Sequence, residues 1–172
     1  MTPHSTSATL SFSQHLEQTC ISRKSNLCVG LDPDFARIEQ LAGPKSLSPA
    51  EVCMRAMLTA ASAASAYAAA LKPNAAFFEA IEEDKPLTAA IGHHLDRNHP
   101  EVIAIIDAKR GDIGNSSAQY AKAAFDVQKF DCITVNPLMG YDAVAPFIEN
   151  PARGVFLLCL TSNPGADDFL LE

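Results

Sequence analysis

The sequence predicts an α/β protein of the (β/α)8-barrel type, built on a parallel sheet. Apolar runs alternate with helical patterns along the chain, the rhythm of βαβ units. The runs are apolar at every position rather than every second one, as in strands buried on both faces. Each also ends in a polar cluster: Asp32-Pro33-Asp34, Lys72-Pro73-Asn74, Asp107-Ala108-Lys109, Asn136-Pro137 and Thr161-Ser162-Asn163-Pro164-Gly165. Functional groups at the C-terminal end of every strand mark a barrel; a doubly wound open sheet gathers them mainly at its switch point.

Taken in order, residues 1–12 read as a flexible N-terminus without the basic-then-apolar pattern of a signal peptide. The first strand is expected over Leu27–Leu31. Ser48-Pro49-Ala50-Glu51 is a capping box with proline at the first helical position, and it opens a helix to about Ala64. A second strand over Ala66–Leu71 follows, then a helix from Asp84 or Pro86 to Arg97 and a third strand over Val102–Asp107. Asn115 reads as the cap of a helix over Ser116–Gln128, in which Tyr120, Ala124 and Val127 recur at helical spacing. Cys132–Val135 and Val155–Leu160 complete the strands, with a short helix over Tyr141–Glu149 between them. Gly140 and Gly154 read as turn residues. No linker breaks the chain, so residues 1–172 form one domain. A full barrel takes about 250 residues, so the expectation is a partial barrel of five βα units, with strands six to eight absent.

Hydrophobic residues make up 48% of the chain and charged residues 19%, which fits a globular protein rather than a disordered one. The net charge of −7 argues against nucleic acid as a partner, because phosphate backbones need a basic face. The alanine-rich run around Ala60 to Leu71 is too short and polar for a membrane span. A cytoplasmic protein is expected. The five cysteines show no CxxC spacing, and Cys28, Cys132 and Cys159 lie in apolar runs. They read as small buried hydrophobes. His93 and His94 point to different faces of a polar helix and read as surface residues. Lys122 and Lys129 read as solvated helix charges.

The most informative segment is Asp107-Ala108-Lys109-Arg110-Gly111-Asp112-Ile113, directly after Val102–Ile106. Residues two apart on a strand share a face, so Asp107 and Lys109 project together, into the mouth if the strand belongs to a barrel. Burying such charges is costly unless pairing or function compensates. A structural ion pair at a strand end is the plain alternative.

Read together, the strand ends resemble the orotidine 5′-phosphate decarboxylase family, in its longer bacterial branch. The matching pieces are Val29-Gly30-Leu31-Asp32-Pro33-Asp34, Leu71-Lys72-Pro73-Asn74, the Asp107–Ile113 segment, Thr134-Val135-Asn136-Pro137 and Ser162-Asn163-Pro164-Gly165. The resemblance implies decarboxylation of orotidine 5′-phosphate (OMP) to UMP in pyrimidine biosynthesis, by a homodimer without metal or organic cofactor. It assigns a charged tetrad of Lys72, Asp107, Lys109 and Asp112, with Lys109 protonating C6 and Asp112 reaching into the partner's site. It places Asp32 and Ser116 at the ribose, Asn74 near the ligand and Ser162 at the pyrimidine. Ser116 stands where the family usually has threonine. Arg110, beside the tetrad, reads as an interface or helix-cap contact rather than a catalytic residue. It also places the phosphate-gripping loops beyond Glu172, so residues 1–172 alone are expected to be marginally stable and essentially inactive on OMP.

The chemistry agrees with that assignment. Loss of CO₂ from C6 leaves an in-plane carbanion that no carbonyl delocalises, so fixed charge must stabilise it. Carboxylates within about 4–6 Å of an ammonium keep it protonated. Two alternatives remain open from sequence. Sugar-phosphate relatives such as 3-keto-gulonate 6-phosphate decarboxylase share Asp-x-Lys-x-x-Asp but hold magnesium with an acidic residue on strand two, where this chain has Lys72. The other is an inactive barrel fragment or assembly module of the same family.

Overall fold

The computed structural model describes residues 10–41, 47–81, 86–168 and 170. Five parallel strands, β1 (Cys28–Leu31), β2 (Ala70–Pro73), β3 (Ile103–Arg110), β4 (Cys132–Val135) and β5 (Gly154–Leu157), form one sheet in the order β1-β2-β3-β4-β5. Consecutive order without a reversal is the arc of a barrel, not a doubly wound sheet. The helices are α1 (Phe12–Arg23), α2 (Phe35–Leu41), α3 (Pro49–Ser65), α4 (Ala75–Glu79), α5 (Leu87–Asn98), α6 (Gly114–Lys122) and α7 (Tyr141–Ile148).

The main core lies between the sheet and its crossover helices. Leu31, Leu71, Ala104, Ile106, Ile133 and Val135 face Phe78, Ile91, Leu95, Phe130 and Phe147 there, all buried. Each of these side chains except Ala104 contributes roughly 1.5–3 kcal/mol on burial. The alternate residues Ala70, Ile103, Ile105 and Cys132 form a second cluster on the opposite face, closed by Phe12 and Leu16 of α1. β2 to β4 are thus buried on both faces, which is why their sequences are apolar without alternation.

Where elements differ from expectation, local chemistry gives the reason. The capping box at Ser48 and Glu51 forms as read. The alanine-rich run continues α3 to Ser65, and β2 begins only at Ala70, where Cys28 can pair with it. β3 extends to Arg110 through an irregularity, while β5 stops at Leu157, opposite the last residue of β4. α5 starts at Leu87 with Pro86 as its cap position; Asp84 lies outside the described residues. Asn115 is not a cap: Ile113 holds that position and α6 begins at Gly114, whose φ of +46° suits a residue without Cβ. The expected continuation to Gln128 is a π-helical turn over Ala123–Val127.

Sequence periodicity also left α1 unassigned. Residues 1–9 lie outside the described residues, but Ser11 caps α1 reciprocally with Gln14, and Phe12 donates its N–H to the Pro151 carbonyl at 2.7 Å. Gly154 is a strand residue rather than a turn: a Cβ there would lie 2.4 Å from the Phe12 ring. Gly154→Ala is therefore expected to destabilise the chain by roughly 1–3 kcal/mol through overpacking, measured as a lowered urea midpoint, with Phe12→Ala in the same chain recovering part of the loss. Gly140, at φ +100°, does serve a turn.

Cys53 and Cys132 are buried, and burial pushes the Cys132 thiol up to about 12, which keeps it unreactive. Cys28 and Cys159 are exposed, contrary to the apolar runs around them. Cys28 sits on the inner face of an edge strand, and Cys159 lies past the end of β5. Among the described residues no helix is long and apolar enough to cross a membrane.

Candidate active site

The C-terminal ends of β2, β3 and β4 bring Lys72, Asp107, Lys109 and Thr134 together. Lys109 Nζ donates to Asp107 Oδ1 at 2.7 Å, and Lys72 Nζ donates to Asp107 Oδ2 at 3.2 Å. The Asp107 side chain is 12% exposed, against 32% for Lys72 and 50% for Lys109. One nearly buried carboxylate therefore holds two ammonium groups at the rim of the sheet. Burial by itself would raise the Asp107 pKa. Hydrogen bonds from Lys109, Thr134 and Lys72, with the Lys72 charge, outweigh it and hold the carboxyl below its ordinary value.

The backbone around this pair is irregular. β3 and β4 pair at Ile106 with Ile133 and again at Arg110 with Val135, so Asp107, Ala108 and Lys109 all stand opposite Thr134. Lys109 occupies the left-handed region, with φ at 47°, a conformation that a side chain with Cβ adopts only at a cost. The Thr134 hydroxyl accepts the Lys109 backbone N–H at 2.9 Å and donates to Asp107 Oδ1 at 2.8 Å.

Among the described residues, the side chains of the other expected residues make no hydrogen bond to this cluster. Asp32 is exposed, its carboxylate lying over Gly30, which is in register with Lys72. Asn74 bridges to Asp107 through the backbone, while its side chain caps α4 by accepting the Ala76 N–H at 3.2 Å. Ser116 is exposed in the first turn of α6, and Ser162 is exposed after β5. Asp112 is not brought to the lysines. Its carboxylate accepts the adjacent Ile113 N–H at 2.7 Å, and among the described residues it makes no ion pair.

Arg110 points to the opposite face, where it pairs with Glu79 of α4 and stacks 5.3 Å over the Tyr120 ring. It thereby ties the helices after β2 and β3 to the strand end, instead of facing the lysines. Sequence reading missed Thr134. The signal was parity: Cys132, Thr134 and Asn136 alternate on the strand, so a hydroxyl there faces the same way as the charged pair. His93 and His94 are half-buried rather than fully solvated, and His94 Nε2 lies 3.1 Å from Ser62 Oγ. Among the described residues no three His, Cys, Asp or Glu side chains are placed to hold a metal.

The pairing makes stability depend on acid. A carboxyl whose folded pKa is depressed contributes stability fully present above its unfolded pKa, near 3.9, and lost as pH falls through the folded value. Asp131, raised by its burial, titrates with the opposite sign, so the test is a difference. The stability gap between the parent chain and Asp107→Asn is expected to shrink as pH is lowered from 6 toward 3, as followed by urea unfolding. A gap independent of pH would contradict the pairing.

Residues 25–172 match the Orotidine 5′-phosphate decarboxylase / HUMPS family. An orotidine 5′-phosphate decarboxylase of Azoarcus sp. is 44% identical over 146 residues, covering 85% of this chain and 52% of that protein. One of Janthinobacterium sp. is 39% identical over 159 residues, covering 92% and 57%. The chain thus spans about half the length of the curated relatives it matches. Among solved structures, OMP decarboxylase of Leishmania donovani superposes with a TM-score of 0.73 at 34% identity, covering 92% of this chain and 57% of that one.

Proposed function

The chain belongs to the Orotidine 5′-phosphate decarboxylase / HUMPS family, and from that premise we propose that it carries the reacting half of a barrel that decarboxylates OMP to UMP. The observation that carries this reading is the carboxylate-bridged lysine pair, Lys109–Asp107–Lys72. A sugar-phosphate decarboxylase of the kind weighed above would need an acidic metal ligand where Lys72 stands, and an ammonium 3.2 Å from Asp107 disfavours a cation there.

In the proposed reaction the substrate carboxylate lies near Asp107, and repulsion between the two anions disfavours the ground state. The C6–carboxyl bond breaks, CO₂ leaves, and the electron pair stays on C6. The Lys109 ammonium stabilises that developing charge and gives a proton to C6. The amine left behind regains its proton from solvent. Lys72 offsets the charge of Asp107. Asp32 and Ser116 serve the ribose, Asn74 lies near the ligand, and Ser162 contacts the pyrimidine. Asp112, which makes no ion pair among the described residues, is read as reaching the partner's site across a two-fold interface.

The experiment is a substrate comparison in a complete barrel carrying residues 1–172. With a chelator present, OMP absorbance is expected to fall as UMP forms, and 3-keto-gulonate 6-phosphate to remain unchanged. Turnover of the sugar phosphate that requires magnesium, without turnover of OMP, would overturn the proposal.

A further inference from the structure

Lys109 is held in place by more than its carboxylate partner. Three residues of β3, Asp107 to Lys109, face a single residue of β4, and the strained backbone of Lys109 loses the regular ladder partner for its N–H. The hydroxyl that takes up this N–H is the same one that donates to Asp107 Oδ1, the oxygen that also receives Lys109 Nζ. Thr134 is 8% exposed and sits on a short, fully buried strand, so its side chain has little freedom to move.

From this geometry we infer that Thr134 is a positioning residue for the reaction, fixing the Lys109 backbone and the Asp107 carboxylate to each other through one hydroxyl. The inference rests on the proposed decarboxylation for its catalytic consequence, but not for its structural one. With the hydroxyl in place, the ammonium and the carboxylate share one rigid reference point, β4, and the left-handed turn at Lys109 is satisfied. Without it, the Lys109 N–H has no acceptor in a half-buried bulge and the carboxylate can rotate. Misplacement by about 1 Å at a reacting group can cost on the order of 10²-fold in rate. Thr134 does not itself touch the substrate in this reading, so the loss falls on kcat.

The test compares Thr134→Val, which keeps the shape and removes the hydroxyl, with Thr134→Ser, which keeps the hydroxyl; Thr134→Ala replaces the valine variant should that one not fold. On residues 1–172 without substrate, carbon NMR follows the Asp107 carboxyl titration, in which Lys72, Lys109 and Thr134 are the facing groups, and nitrogen NMR follows the Lys109 amide. The valine variant is expected to raise the Asp107 midpoint and shift the Lys109 amide, and the serine variant to restore both. In a complete barrel, kcat on OMP is expected to fall by roughly 10²-fold with KM within about twofold, and serine to recover most of it. An unchanged Asp107 titration and Lys109 amide in a folded Val or Ala variant would overturn the inference, whatever the activity. So would a valine variant with unchanged kcat in an active enzyme. If the NMR changes occur but the parent barrel does not act on OMP, the structural coupling stands and the functional reading above is what fails.

Discussion

Replacing Lys109 by alanine is expected to remove nearly all decarboxylation from a complete barrel carrying this chain, on the order of 10⁴-fold, with the fold intact. The side chain is half exposed, so its removal leaves no cavity in the core and the β3–β4 ladder keeps its partners. In the proposed reaction two functions would vanish together: a fixed positive charge where the carbanion forms, and the acid that protonates it. The Thr134 bond to the backbone N–H of residue 109 does not depend on the side chain, so the bulge persists in the variant. The check is steady-state turnover of OMP beside a circular dichroism spectrum and a urea midpoint. More than a few per cent of parent activity in a well-folded Lys109→Ala protein would rule out its role as acid.

The second large effect concerns Asp112. Within the described residues its carboxylate is occupied only by the neighbouring Ile113 N–H and stands apart from Lys72 and Lys109. In the segments that follow β3 and β4, Ile113, Leu138, Met139 and Tyr141 are exposed large apolar side chains, the kind of surface that a partner subunit covers. Asp112→Ala and Lys72→Ala proteins are each expected to be nearly inactive. In a mixed dimer of the two, one site carries both lesions and the other carries neither. Equal mixing with free exchange should then recover about a quarter of parent activity. No recovery despite demonstrated exchange would place Asp112 in its own subunit's site.

What was legible in the sequence follows from which interactions are local. Cys132–Val135 could be bounded to the residue because Cys132 and the β-branched run Ile133-Thr134-Val135 lie between Phe130-Asp131 and Asn136-Pro137. The Asp107–Lys109 pair was legible because strand parity fixes the face of residues two apart, and the ion pair at 2.7 Å follows from it. The capping box at Ser48 needed only three residues. By contrast, the strand after the alanine-rich run starts where its neighbour can pair, which no local pattern records. Gly154 read as a turn because its reason for being glycine, the Phe12 ring, lies at the other end of the chain. Thr134 lies in one of the matching pieces, but its importance depends on a three-to-one bulge that only strand register reveals. Arg110 is similar: its partners Glu79 and Tyr120 come from two different helices.

The most direct test of the central claim, that fixed charge and the Lys109 ammonium carry a decarboxylation at C6, is to run the reaction in D₂O with a chelator present. The UMP formed by a complete barrel carrying residues 1–172 is read by proton NMR at C5 and C6. One deuteron is expected at C6 for each CO₂ released and none at C5, because the electron pair stays on C6 and an exchangeable ammonium proton quenches it. Deuterium at C5, or UMP formation that stops when the chelator is added, would contradict it.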